Sequence, residues 1–281
     1  MASLISIQIN GKASVKRNLA SIEQLIEKAC LKADVNRLVV IPECASIFGC
    51  TGKEMLAAGE IIENGPIQAA FADMAKRFQC YLIAGSTPII STNIADKYTA
   101  TSLAYDPLGK AIARYNKIHL FDVDVADKTA SYRESTYTEA GDKLCVFDAG
   151  FATVGMSICY DVRFAGMFDA MRDDSGQAPS ILVVPSAFTK KTGEAHWHPL
   201  LQARSIENQC FVVASNQTGI HADGRETFGN SCIYSPWGEC LSLVENGEGF
   251  AIAPFDVKQI QEIRQKMPIH LHKKERYSIE R

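Results

Sequence analysis

A chain of 281 residues with 47% hydrophobic and 22% charged side chains has the composition of an ordinary globular protein with a sizeable core. Its 29 basic and 32 acidic residues leave a formal net charge of -3, which argues against nucleic acid or an anionic membrane as partner. No apolar run approaches the ~18 residues of a membrane-spanning helix.

The N-terminus enters alternating apolar residues (Ile5, Ile7, Ile9) with no charged region before an apolar core, so a cytoplasmic protein is expected. It reads as a first strand. The nine cysteines are odd in number, with no C-x-x-C pair and no Cys/His cluster of zinc spacing. Reduced thiols, and neither metal nor cofactor, are the expectation.

Residues Lys16–Lys32 place Leu19, Ile22, Leu25, Ile26 and Cys30 on one helical face. Arg37–Pro42 is a short apolar strand. Lys53–Ala58 and Pro66–Phe78 read as helices, and Cys80–Ala84 as a buried strand ended by Gly85-Ser86-Thr87-Pro88. The turn Asp106-Pro107-Leu108-Gly109 joins strands Tyr98–Tyr105 and Ala111–Tyr115, and Asp148-Ala149-Gly150 joins Lys143–Phe147 to Phe151–Ile158. Strand Ser180–Pro185, helix Trp197–Asn208 and strand Cys210–Ser215 follow. Strands Ser231–Ser235 and Cys240–Val244 flank Pro236-Trp237-Gly238, and Val257–Lys266 closes the chain as a helix. Interleaved strands and helices without linker or repeat give one domain over residues 1–281, of class α/β or α+β. A tail runs from about residue 267 to 281. Its end is locally basic (His272, Lys273, Lys274, Arg276, Arg281) and reads as a solvated tail or subunit contact.

Several strands run directly into polar or reactive residues: Arg37–Pro42 into Glu43, Ala111–Tyr115 into Lys117, and Phe151–Ile158 into Cys159. Polar groups after apolar strands collect along one rim of a sheet, where α/β proteins place their sites. Singly, each has a plainer reading: a packed thiol, an exposed lysine, a carboxylate in the first turn of a helix. Together they make chemical sense. A carboxylate takes the thiol proton, the thiolate attacks an electrophilic carbon, and an ammonium with a backbone N–H stabilises the oxyanion. His119 is the one histidine beside these strand ends, so a Cys–His dyad is the less natural assignment.

The segments IPECASIFG around Glu43, RYNKIHLFDVD around Lys117 and GMSICYDVRF around Cys159 resemble the three signature segments of the nitrilase (carbon–nitrogen hydrolase) superfamily, in that family's order. AFTKKTGEAHWHPLLQARSIENQCFVVASNQTG and PWGE extend the resemblance over nearly the whole chain. It implies a four-layer αββα sandwich of two mixed sheets with helices outside. It also implies Glu43 as general base, Lys117 as transition-state stabiliser and Cys159 as nucleophile, with Glu134 positioning the lysine and substrate. The oxyanion would rest on Lys117 and the Tyr160 backbone N–H.

CYDVRF, TGEAHW, LLQARSIENQCFVVASNQTG and MPIHLHKKERY resemble the Nit-type branch, and within it the amidases of deaminated glutathione more than the ω-amidases. The implied substrate is a small amide carrying carboxylate, so a cation at the rim is expected. Arg163 is one candidate to grip it bidentately. The other reading of Arg163 is an ordinary ion pair with Asp161 or Glu207. The resemblance adds Phe188 and Thr192 as pocket residues and a homodimer or larger homo-oligomer as the assembly. An ω-amidase acting on 2-oxoglutaramate, a catalytically silent interaction protein of the same fold, and a Cys–His protease are the competing readings. Ala165-Gly166, His198 and Asn230 depart from the family pattern at positions expected to bear on pocket shape.

Overall fold

The computed structural model describes residues 2–127, 129–274 and 278. Two mixed sheets lie face to face. In the first, the strand order is Gly249–Phe255, Ala2–Gln8, Asn36–Val40, Tyr81–Ile83, Tyr98–Tyr105, Thr87–Ile90, with Ala111–Asn116 and Thr138–Glu139 also pairing with Tyr98–Tyr105. In the second it is Val146–Asp148, Thr153–Met156, Ile181–Ser186, Phe211–Asn216, Ser231–Tyr234, Cys240–Val244. The strands that lead to Glu43 and Cys159 lie next to parallel neighbours, so their C-terminal ends and those neighbours' ends share a rim.

The first strand shows why so much of the chain is apolar. Ile5, Ile7 and Ile9 pack outward with Ile22 and Ile26 of helix Val15–Cys30 and with Phe71 and Met74 of helix Pro66–Arg77. Leu4 packs on the opposite side with Leu38 and Val40 in the cluster shared with the second sheet. Alternation marked one apolar face, yet every residue of Ala2–Gln8 is buried, because both faces are covered. Between the sheets, the Ser6 and Ser215 hydroxyls lie 2.8 Å apart, and each reaches a carbonyl of the opposite sheet, Ala214 and Val40 respectively (both 2.8 Å). Phe168, Trp197 and Leu201, from helices Ala165–Asp169 and Lys190–Asn208, belong to the cluster around the second sheet. The layers are therefore helix, sheet, sheet, helix, the four-layer sandwich expected.

Some elements depart from the sequence reading. The strand Tyr81–Ile83 ends before Gly85 as expected, but Thr87-Pro88 then opens a further strand, Thr87–Ile90, at the edge of the sheet, where a proline costs no ladder hydrogen bond. The helix expected from Trp197 begins at Lys190, capped by Thr189, whose side chain accepts from the Thr192 N–H. Gly193 and Pro199 both lie inside it. Gly193 is required there, since a Cβ would stand 2.3 Å from the Phe228 side chain. Strand Gly249–Phe255 and hairpin Asp122–Asp124/Ser131–Arg133 were not anticipated. In the tail, Ile269–His272 forms a helical turn and Lys273 pairs with Asp169; Arg276 and Arg281 lie outside the described residues. Among the described residues no helix is long and apolar enough to cross a membrane.

Candidate active site

Glu43 follows the strand Asn36–Val40 and is almost completely buried. Its main chain is held from several sides. The Gln217 side chain donates to the Glu43 carbonyl (2.9 Å), and the Ser86 hydroxyl accepts from the Cys44 N–H (2.8 Å). Gly85 must be glycine: its φ is +53°, and a Cβ would fall 1.8 Å from the Pro42 carbonyl oxygen. So fixed, the Glu43 carboxylate accepts from Lys117 Nζ through Oε1 (2.7 Å) and from the Ala187 N–H through Oε2 (2.9 Å).

Lys117 is 2% exposed, an extreme value for a lysine. Its ammonium also donates to both oxygens of Glu134 (2.8 and 3.1 Å), and Glu134 Oε2 accepts from the Phe121 N–H (2.7 Å). Burial by itself favours the neutral amine. The carboxylates of Glu134 and Glu43 more than reverse this and hold the Lys117 pKa well above that of an ordinary lysine. Burial also moves the Glu134 carboxyl upward, with the Glu43 charge in the same direction and Lys117 opposing.

Cys159 ends the strand Thr153–Met156 by way of Ser157 and Ile158, and its φ of +50° places a β-carbon in the left-handed region. That strain is held by Asp161. This fully buried carboxylate accepts from the Ile158 N–H (2.8 Å), the Tyr115 hydroxyl (2.7 Å) and the His119 N–H (3.1 Å), with His119 Nδ1 at 2.7 Å. One side chain thereby ties the turn at Cys159 to the segment carrying Lys117. Burial and the Glu43 charge push the Cys159 thiol well above its usual range, against Lys117. A carboxylate able to accept the thiol proton, that of Glu43, lines the same cavity.

All eight residues singled out in the sequence line one cavity of about 510 Å³: Glu43, Lys117, Glu134, Cys159, Tyr160, Arg163, Phe188 and Thr192. Arg163 is in neither ion pair considered for it. Asp161 is taken by Tyr115 and His119, and Glu207 pairs with Arg204 (2.6 Å). Its guanidinium lies 5.1 Å from the Phe188 ring centre and 5.7 Å from that of Tyr160, with Nη1 3.2 Å from His196 Nδ1 and a buried Nε left without a partner. Ala165, Gly166, His198 and Asn230 do not line the cavity, contrary to expectation. His198 and Asn230 face each other instead (3.3 Å). His119 is likewise outside the lining, stacked on Phe164 at 3.6 Å.

Sequence reasoning missed Tyr115, the part played by Asp161, and the Ala187 N–H. The Asp161 signal was present, a carboxylate two residues after a strand-end cysteine. A backbone N–H carries no residue identity and leaves no such trace. Chemically, the site couples a thiol to a proton acceptor and to a fixed cation and N–H donors, the set that acyl transfer requires.

The family model described as Carbon-nitrogen hydrolase matches residues 4–265. The deaminated glutathione amidase of Yersinia enterocolitica is 38% identical over 96% of this chain and 92% of its own length; that of Dictyostelium discoideum is 38% identical over 95% and 92%. Omega-amidase NIT2 of Homo sapiens is 33% identical over 99% of this chain and 96% of its own. Among solved structures, Saccharomyces cerevisiae Nit3 superposes with a TM-score of 0.86 at 26% identity over 98% of this chain and 97% of its own. The C. elegans NitFhit protein does so with a TM-score of 0.85 at 29% identity; this chain covers 65% of it. With a matching family model over most of its length, the chain belongs to the carbon–nitrogen hydrolase family of the nitrilase superfamily, and it is an amidase-type hydrolase of C–N bonds other than peptide bonds.

Proposed function

We propose that this enzyme is a thiol amidase that cleaves deaminated glutathione to 2-oxoglutarate and cysteinylglycine through a thioester on Cys159. The observation that carries the chemistry is the buried Glu43–Lys117–Glu134 chain of hydrogen bonds in the cavity that also holds Cys159. The substrate assignment draws on the relatives named for that activity, at 36–38% identity, and on Arg163 in the cavity wall with an unsatisfied Nε.

In this reading Glu43 takes the Cys159 proton as sulfur attacks the amide carbon, forming the C–S bond. The oxyanion is held by Lys117 Nζ and the Tyr160 N–H, each preorganised donor worth on the order of 10²–10³ in rate. Collapse breaks the C–N bond, and Glu43 passes its proton to the departing nitrogen. Water then enters, Glu43 removes a proton from it, and attack on the thioester releases the acid and restores the thiol. Glu134 keeps the Lys117 ammonium aimed at the oxygen. Arg163 binds the carboxylate of the 2-oxo acyl portion, with Phe188 and Thr192 beside it.

The test is product identification on a panel of ω-amides and deaminated peptides. Cysteinylglycine released faster than ammonia supports the proposal. Release of ammonia from 2-oxoglutaramate alone would establish the second reading, an ω-amidase, which the likeness to the human omega-amidase favours. The proposal extends to one domain over residues 1–281 with a tail from about residue 267, acting in the cytoplasm as a homodimer or an assembly of dimers. Sedimentation would measure the assembly.

A further inference from the structure

Three arginines line the Cys159 cavity, and their donors are committed differently. Arg133 is half exposed and spends its guanidinium on Asp124 and on the carbonyls of Val123 and Tyr132. Arg163 lies against Tyr160 and Phe188 in the wall, with Nη1 3.2 Å from His196 Nδ1. Arg225 has other partners. It sits 4.5 Å over the Phe48 ring, its Nε donates to Asp223 Oδ2 (2.5 Å), and its Nη2 donates to the Cys50 carbonyl (3.2 Å). Among the described residues Arg163 and Arg225 have different stacking and hydrogen-bond partners, so the cavity lining holds two separately anchored cations.

Arg225 is held rigidly. The Asp223 carboxylate also caps its backbone N–H (3.1 Å), and its carbonyl accepts from the His221 N–H (2.9 Å). His221 packs edge-on against the same Phe48 (4.5 Å) and is anchored to Thr227 Oγ1 (2.7 Å) and the Gly11 carbonyl (3.0 Å). Glu226, the other acid at this end, is matched by Lys190 (2.7 Å). What remains is Arg225 Nη1, which has no hydrogen-bond partner in the protein among the described residues. A stacked guanidinium with its Nε fixed and one terminal nitrogen free is a preorganised donor for a carboxylate.

We propose that Arg225 forms a second carboxylate site in the cavity, which takes the free carboxylate of the leaving amine while Arg163 takes that of the acyl portion. This rests on the amidase reading above and names what that reading leaves open, the recognition of the departing half. The ligand class is an amine of about dipeptide size ending in a carboxylate, tied by its nitrogen to the acyl carbon that Cys159 attacks. The site works through a fixed donor rather than net charge, since Asp223 balances the arginine. The discrimination it provides is therefore that of one charge-assisted hydrogen bond, about tenfold.

The experiment compares kcat/KM on two substrates, the 2-oxoglutaryl amide of cysteinylglycine and the same amide ending in a carboxamide, with 2-oxoglutaramate measured alongside. The expected result is an approximately tenfold preference for the carboxylate in the native enzyme, carried mainly in KM and lost in Arg225→Gln. Arg225→Lys keeps the charge but not the stacked fork and retains only part of the preference; it supplies the readout if the glutamine variant does not fold. A native enzyme indifferent to the terminal group, or a preference that survives in Arg225→Gln, overturns the second site and leaves the amidase reading standing. If the native enzyme cleaves 2-oxoglutaramate but neither dipeptide amide, the reading itself fails and the second site with it.

Discussion

Two cysteines in this molecule, Cys159 and Cys240, invert the usual expectation about reactive thiols. Cys240 lies exposed on the edge strand Cys240–Val244, and a hydrogen bond with the Cys232 sulfur brings its pKa down to about 7. Cys159 is buried, and burial together with the Glu43 charge drives its thiol upward. By acidity alone Cys240 is the better nucleophile at neutral pH. Yet among the described residues it does not line the Cys159 cavity and has no carboxylate partner, whereas Cys159 stands with Glu43, Lys117 and Tyr160 in that cavity's wall. The difference teaches that amide hydrolysis is built from neighbours that exchange a proton and cradle an oxyanion. A low resting pKa is no substitute for them.

The sharpest way to break this comparison is to delete each sulfur. Cys159→Ala abolishes amide turnover with its circular dichroism intact, while Cys240→Ser keeps full turnover; activity lost with Cys240 instead would reverse the assignment. Next in size is Glu43→Gln, which lowers kcat by about 10²–10⁴, the contribution of a positioned acid–base group. Alkylation of Cys159 by iodoacetamide persists in that variant, because burial still raises the thiol pKa but the Glu43 charge that added to it is gone and Lys117 stays. Peptide mapping reads the label, and a Glu43→Gln enzyme that keeps native kcat contradicts a proton-transfer role.

Titration separates the two thiols further. Below its pKa of about 7, labelling of Cys240 slows about tenfold per pH unit, and above that value it levels off, since only the thiolate reacts. Cys159 labelling keeps rising past the point where Cys240 is saturated, as its pKa is displaced upward. Blocking Cys240 at pH 7 leaves turnover in place. The smallest expected effect is on stability. Asp161→Asn leaves the donors of Ile158, Tyr115 and His119 with a poorer acceptor and costs about 1–3 kcal/mol. That corresponds to a fall of several degrees in Tm, read by thermal unfolding, with a drop in kcat from the loosened turn at Cys159. A variant unchanged in both would show that the strained backbone does not depend on this carboxylate.

Much of the architecture could be read in the chain because buried strands announce themselves. LVV at Leu38–Val40 and ILVV at Ile181–Val184 are apolar without alternation, as strands covered on both faces must be. The rim residues Glu43 and Cys159 could be read as well, since each closely follows such a run, and Lys117 because it stands at the end of the strand Ala111–Asn116. Elements with weaker local signals escaped. The strand at Pro88 depends on lying at an edge, the start of helix Lys190–Asn208 is masked by Gly193 and Pro199, and Gly249–Phe255 is defined by its pairing with the first strand.

Residue type and order along the chain were enough to determine the family, the layered sandwich and a thiol, carboxylate and ammonium at strand ends. Which of those groups touch was decided only by tertiary structure. The Lys117–Glu43 contact spans 74 residues of sequence, Tyr115–Asp161 spans 46, and Arg225–Cys50 spans 175. Local periodicity reports which face of an element is apolar, over a few residues. Strand order and sheet-on-sheet register set the distances between rim groups, and they arise from burying both faces of two sheets at once. The same packing leaves Asp161 as the tie behind Cys159 and brings Arg163 and Arg225, 62 residues apart in sequence, into the lining of one cavity.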